Sequence, residues 1–412
     1  MTSTKAICSY KPECFARTSV NLCETVSDSP FSVEWLLQSL HSSNDFLENS
    51  KVEYVKAVEI SQGKGFVSKI YKVTIKYENL DKIYEAILKV PSADSMNESA
   101  LNTEGHEMLS DEFIACTHNR ECDFYNNYAP QIDIPMVKMY KAVGMKAGEA
   151  PGGLLMESMV GKADSGNLWT GATKQQAFTI AKHSTSLSKH FLCLPREQWT
   201  GKFRENGLAT YLTESYAPYF DKLKEAAPGV FDEAFTVFEK YFFNENFYMY
   251  TMTDVHKDLG LPSVLTHGDV WTNNLMWKKN SDGSLSSELA AFLDWQLIHE
   301  GCITNDIARF MTFCLDGDVR RECEYEVLEY MYHRIVKLME DDGRSIEFTY
   351  KQANAKGVSD ESRRTSSTND ALSRVAVFGN RLVSRREADQ AGAERQINTE
   401  DSFGLGGCNC LF

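Results

Sequence analysis

Val264-Leu265-Thr266-His267-Gly268-Asp269-Val270-Trp271-Thr272-Asn273-Asn274-Leu275 decides how this 412-residue chain is read. An apolar run ends in a His-Gly-Asp turn, and a carboxamide, Asn274, follows five residues after the carboxylate of Asp269. Working outward, Leu275-Met276-Trp277 is apolar, Asn280-Ser281-Asp282-Gly283-Ser284 is a polar turn, and a second apolar segment runs from Leu289 to Leu293. That alternation signals a β-hairpin. The hairpin would bring Asp294, in Phe292-Leu293-Asp294-Trp295-Gln296, back to face Asn274.

Phosphoryl transfer asks little covalent chemistry of a protein: an in-line hydroxyl, and cations that neutralise the phosphate oxygens. Asp269 is expected to accept or orient the proton of an attacking hydroxyl, with His267 beside it among the catalytic residues. Asn274 and Asp294 are oxygen ligands of the kind a hard cation such as Mg²⁺ takes. Taken singly, Asp269 also reads as a helix cap and Asn274 as a turn residue.

The pattern His267-Gly268-Asp269-x-Trp271-x-x-Asn274 resembles the signature of the choline kinase and aminoglycoside phosphotransferase superfamily. Within it, the chain is most similar to the ecdysteroid-kinase-like (CHK kinase-like) group, nematode-type. Protein kinases carry Arg where Gly268 stands and Asp-Phe-Gly where Asp294-Trp295-Gln296 stands, and no segment resembles their Ala-Pro-Glu anchor.

The resemblance implies a two-lobed, protein-kinase-like α/β (α+β) fold, with a small β-rich N-lobe, a mostly helical C-lobe and an ATP–Mg²⁺ site. It also directs attention upstream. Gly63 and Gly65, before the alternating run Tyr71, Val73, Ile75, Tyr77, are either phosphate-covering glycines or an ordinary hairpin turn. Lys89 interrupts the apolar strand Ile83-Tyr84-Glu85-Ala86-Ile87-Leu88-Lys89-Val90-Pro91, and burying it unpaired would be costly. The resemblance gives Lys89 the ATP phosphates and Glu121 the task of holding it. Leu154 to Met159, with Glu157, is either the hinge beside the adenine or a buried strand with a polar exit. Asp306 is either a support for the catalytic loop or a helix N-cap.

The chain has 42% hydrophobic residues, enough for a large core, and a net charge of −15 without a basic stripe, which makes nucleic acid an unexpected partner. We expect no membrane span, no partner protein, free cysteines and a cytoplasmic location. The expected organisation is a polar arm over 1–30, an N-lobe over 31–159 with a short helix from Val33 to Leu40, and a C-lobe over 160–350. Helices are expected from Thr173 to Leu194 and through the aromatic-rich Phe231 to Thr253. Residues 351–412 lack Tyr and Trp and are Arg-, Ser- and Gly-rich, so they read as a disordered tail that departs from the family, through splicing or a gene-model error.

The function expected from this reading is ATP-dependent phosphorylation of a hydroxyl on a steroid-like or other small hydrophobic alcohol. Two alternatives stay open. One is choline or ethanolamine phosphorylation, with Trp271, Trp295 and the 241–250 aromatics holding an ammonium. The other is a nucleotide-binding pseudokinase module.

Overall fold

The computed structural model describes residues 19–354, except 44–45, 47–49, 62–66, 93–108, 169, 204–223, 226, 231, 233–234, 237–240 and 242–243. Gly63, Gly65 and nearly all of the expected tail lie outside the described residues. The described end of the expected polar arm is packed: Val26 is buried in the core, and the Val33 N–H donates to the Glu24 carbonyl. The chain forms two compact units, divided after Val160, with Gln131–Met136 belonging to the second.

In the first unit, Ser32 accepts from the Trp35 N–H and starts α1 (Val33–His41), whose Leu36, Leu37 and Leu40 are fully buried. β1 (Val52–Glu59), β2 (Ser68–Tyr77) and β3 (Ile83–Pro91) follow, then α2 (Asp111–Asn127), β4 (Met139–Val143) and β5 (Gly153–Glu157). The five strands form an antiparallel sheet in the order β1-β2-β3-β5-β4. Tyr71, Val73, Ile75 and Tyr77 alternate along β2, so the pleat sends all four to one face, where they join the α1 leucines in one cluster. Each such burial contributes roughly 1.5–3 kcal/mol.

The second unit is mostly helical. It contains β6 (Ala163–Ser165) and α3 (Lys174–Cys193), the latter opened by a reciprocal Thr173–Gln176 capping box. The aromatic-rich stretch is not one continuous helix. Asn244 interrupts it with an extended backbone, and from there come α4 (Glu245–Met249), a π-helical turn (Tyr250–Asp254) and α5 (Val255–Leu259), closed by Gly260 in the left-handed region. Then come β7 (Ser263–Thr266), β8 (Leu275–Lys279), β9 (Leu285–Phe292), β10 (His299–Cys302), α6 (Asn305–Cys314), α7 (Gly317–Asp341) and α8 (Tyr350–Ala353).

β8 and β9 form the expected hairpin, with Leu275 opposite Phe292, and β7 pairs antiparallel with β10. A bridge between Met136 and Phe292 ties the 131–136 segment to this unit. The molecule is therefore α/β, with a sheet-rich first unit and a mostly helical second one, as expected. No described helix is long and apolar enough to cross a membrane.

Candidate active site

β7 ends at Thr266, and the chain turns sharply through His267 and Gly268. Gly268 has φ +81, and a Cβ there would lie 2.2 Å from the Leu297 carbonyl oxygen and 2.6 Å from His299 Nδ1. Glycine meets both constraints. The turn is clasped from α6: the Asp306 carboxylate accepts from the His267 N–H and the Gly268 N–H, each at 2.9 Å. Asp306 lies in the first turn of α6, whose N-cap is Thr304.

His267 is 1% exposed, and both ring nitrogens face backbone groups. Nε2 lies 2.9 Å from the Leu293 carbonyl, and Nδ1 accepts from the Asp269 N–H at 3.2 Å. This fixes the tautomer with the proton on Nε2. Burial pushes the ring's pKa down, so it stays neutral. Both ring nitrogens engage backbone, and through them His267 joins the Asp269 loop to the strand that leads into Asp294.

Asp269 is held from two sides. Asn274 Nδ2 donates to the Asp269 backbone oxygen at 3.0 Å and to its Oδ2 at 2.8 Å. Arg309, on α6 one turn after Asp306, donates from Nη2 to Oδ1 at 2.5 Å. Burial raises the Asp269 pKa, opposed by the Arg309 charge and reinforced by the charge of Asp294. Tyr248, at the end of α4, feels the charges of Arg309 and of Asp269 itself, and burial raises its phenol to about 12.

The hairpin brings Asp294 back as expected, because the Leu293 N–H donates to the Asn274 carbonyl at 2.8 Å. Asp294 has φ 64 and ψ 70, a left-handed conformation that costs a non-glycine residue roughly 1–2 kcal/mol. Such strain concentrates at functional sites. The Asn274 and Asp294 donor set suits Mg²⁺. With its Nδ2 committed twice to Asp269, Asn274 has its carboxamide oxygen available, and Mg²⁺ takes one or two protein oxygens beside water and phosphate. Among the described residues no cluster of three or more His, Cys, Asp or Glu forms an all-protein cage.

In the first unit, Lys89 of β3 and Glu121 of α2 form an ion pair at 2.7 Å, at 6% and 1% exposure. One turn before Glu121, His118 Nε2 lies 2.8 Å from the Val143 carbonyl and ties α2 to β4. Burial lowers the His118 pKa to about 4, and the Lys89 charge adds to this. Glu157 ends β5, and its N–H donates to the Lys138 carbonyl, so that group is already used within the sheet. Trp271 and Trp295 are 4% and 0% exposed: they are core, and their faces are not open to an ammonium.

A family model matches residues 34–356. The chain belongs to that family, DUF1679. The DUF1679 model carries the description "Uncharacterized oxidoreductase dhs-27". The Caenorhabditis elegans protein of that name is 27% identical over 329 residues, 77% of this chain and 39% of the relative, so the chain spans well under half of that protein's length.

Three solved structures are similar at low identity. They are an ethanolamine kinase from Plasmodium vivax (13% identity, 94% of this chain and 91% of that one, TM-score 0.41), wild-type aminoglycoside 2'-phosphotransferase-IIIa in its GDP complex (12%, 82% and 94%, 0.40) and a macrolide 2'-phosphotransferase from Brachybacterium faecium (11%, 88% and 94%, 0.37). At TM-scores below 0.5 these likenesses decide nothing about activity.

Sequence reasoning missed Arg309 and Tyr248. The signal for Arg309 was its spacing from Asp306, three residues on and so on the same helix face.

Proposed function

We propose that the chain is an ATP-dependent phosphotransferase that passes the γ-phosphoryl group to a hydroxyl of a small hydrophobic alcohol, steroid-like in the ecdysteroid-kinase-like reading. The observation that carries this is the Asp269 carboxylate, pinned through one oxygen by Arg309 and through the other by Asn274, next to a strained Asp294. An ionised carboxylate has about four acceptor positions. Two remain for an incoming hydroxyl after Arg309 and Asn274 have taken theirs.

Asp269 then orients that hydroxyl and takes its proton as the oxygen–phosphorus bond forms and ADP leaves. Burial, which raises the Asp269 pKa, makes it a better base than an ordinary aspartate. Asn274 and Asp294 would hold Mg²⁺, which when bound neutralises charge on the phosphate oxygens. Lys89, set by Glu121, is the proposed phosphate contact. Asp306 and His267 keep the loop in shape. The name of the Caenorhabditis elegans relative speaks of oxidoreduction, but the groups gathered around Asp269 give no reason to bring that name to this chain.

Calorimetric titration with ATP, with and without Mg²⁺, on the intact chain and on Asp294→Asn tests the reading. We expect Mg²⁺ to strengthen ATP binding at least tenfold in the intact chain and hardly at all in the variant. Equal strengthening in both would remove Asp294 from the proposal, and no ATP binding by a folded chain would end it.

A further inference from the structure

We infer that Arg309 sets the charge class of the acceptor, so that the site takes neutral or anionic hydroxyl compounds and disfavours amino alcohols and other cations. The inference rests on the phosphotransferase reading and names the substrate class of that same site.

The geometry is local to the second unit. An acceptor hydroxyl that hydrogen-bonds Asp269 must come within about 3 Å of its oxygens. Arg309 Nη2 already lies 2.5 Å from Oδ1, so the acceptor's near carbons sit close to a guanidinium. The Arg309 side chain keeps 23% of its surface exposed and Asp269 keeps 13%, so the positive group is part of the surface an acceptor meets. Its planar head is also fixed from the other side, with the guanidinium carbon 4.7 Å from the centre of the Phe313 ring. A guanidinium stacked on an aromatic ring and bonded to a carboxylate stays charged and fixed in place, so its positive field is a constant feature of the site.

Among the described residues, the Asp269 carboxylate and the two tryptophans offer a cationic acceptor little. The Asp269 charge that would draw an ammonium is neutralised by Arg309. Trp271 and Trp295, whose faces would cradle a quaternary ammonium, are buried. Among the described residues, Tyr248 and Phe313 are half-buried aromatics near the charge pair, and Phe313 already faces Arg309.

The test uses the full chain with ATP analogue and Mg²⁺, and a matched set of short hydroxyalkyl probes that differ only at the far end: carboxylate, hydroxyl or trimethylammonium. Binding is read by calorimetry and phosphorylation by phosphorus NMR with ATP. The expected result is at least tenfold weaker binding of the trimethylammonium probe than of the carboxylate probe. Arg309→Gln should erase that ratio, and Arg309→Lys should keep most of it.

If Arg309→Gln does not fold, raising the salt concentration on the intact chain should shrink the ratio, because exposed charges are screened. Equal or tighter binding of the trimethylammonium probe by the intact chain, or an unchanged ratio in Arg309→Gln, overturns the inference. Binding with the expected charge preference but no phosphorylated product would instead overturn the phosphotransferase reading and leave the charge assignment standing.

Discussion

Replacing Asp306 by alanine removes both acceptors that hold the His267-Gly268 turn. The two N–H···O bonds, each 2.9 Å, end on a carboxylate that is 4% exposed, and His267 is 1% exposed, so water does not readily take the carboxylate's place. Hydrogen bonds to charged groups contribute roughly 1.5–3 kcal/mol each, and a buried donor left unmade costs about 1–3 kcal/mol. Burial also disfavours the charged carboxylate, as the raised Asp306 pKa records, and removing it returns part of that sum. The net expectation is about 3 kcal/mol of lost stability. In a unit of this size that lowers the melting temperature by about 10 °C.

Asp306→Asn keeps one acceptor but points an amide NH₂ at the other N–H, so it should recover little. Differential scanning calorimetry of the intact chain and both variants is the assay, with ATP–Mg²⁺ affinity measured alongside. A melting temperature within about 2 °C of the parent for Asp306→Ala would refute the claim that this carboxylate holds the loop.

Three further outcomes are expected. Asp294→Gly relieves a left-handed residue at φ 64, so thermal melting should show unchanged or slightly raised stability, by up to about 1 kcal/mol, while Mg²⁺-dependent transfer is lost. Gly268→Ala drives a Cβ to 2.2 Å from the Leu297 carbonyl, and we expect a loss above about 3 kcal/mol in urea unfolding. His118 is held neutral by burial, with its pKa near 4 against 6.5 when unfolded. Its contribution is therefore complete above pH 6.5 and lost as the pH falls toward 4, by about 3 kcal/mol, and His118→Gln should flatten that part of the stability–pH curve.

The contacts that sequence reading reached are those whose logic is local. Asp269 and Asn274 stand five residues apart on one loop, and the hairpin that returns Asp294 is written in the turn residues Asn280 to Ser284. Lys89 stood out because a lysine in an apolar strand needs a partner, and Glu121 is that partner at 2.7 Å.

What escaped depends on how distant elements pack. Arg309 looks like a surface residue of an amphipathic helix until α6 is set beside the turn after β7. His267 stands two residues before Asp269, and the sequence does not show that both its nitrogens engage backbone groups. The aromatic run ending at Thr253 promised one helix, and the π-helical turn at Tyr250–Asp254 cannot be read from spacing. The return of Gln131–Met136 to the second unit left no mark in composition.

Asp269 is proposed to serve phosphoryl transfer to a small-molecule hydroxyl. The most direct test of that role incubates the intact chain and Asp269→Asn with γ-labelled ATP, Mg²⁺ and a fractionated metabolite extract, and follows the label. Label is expected in a neutral or anionic organic-soluble product with the intact chain, reduced at least a hundredfold by Asp269→Asn. A folded, ATP-binding chain that labels nothing, or that labels equally well with Asp269→Asn, would contradict it.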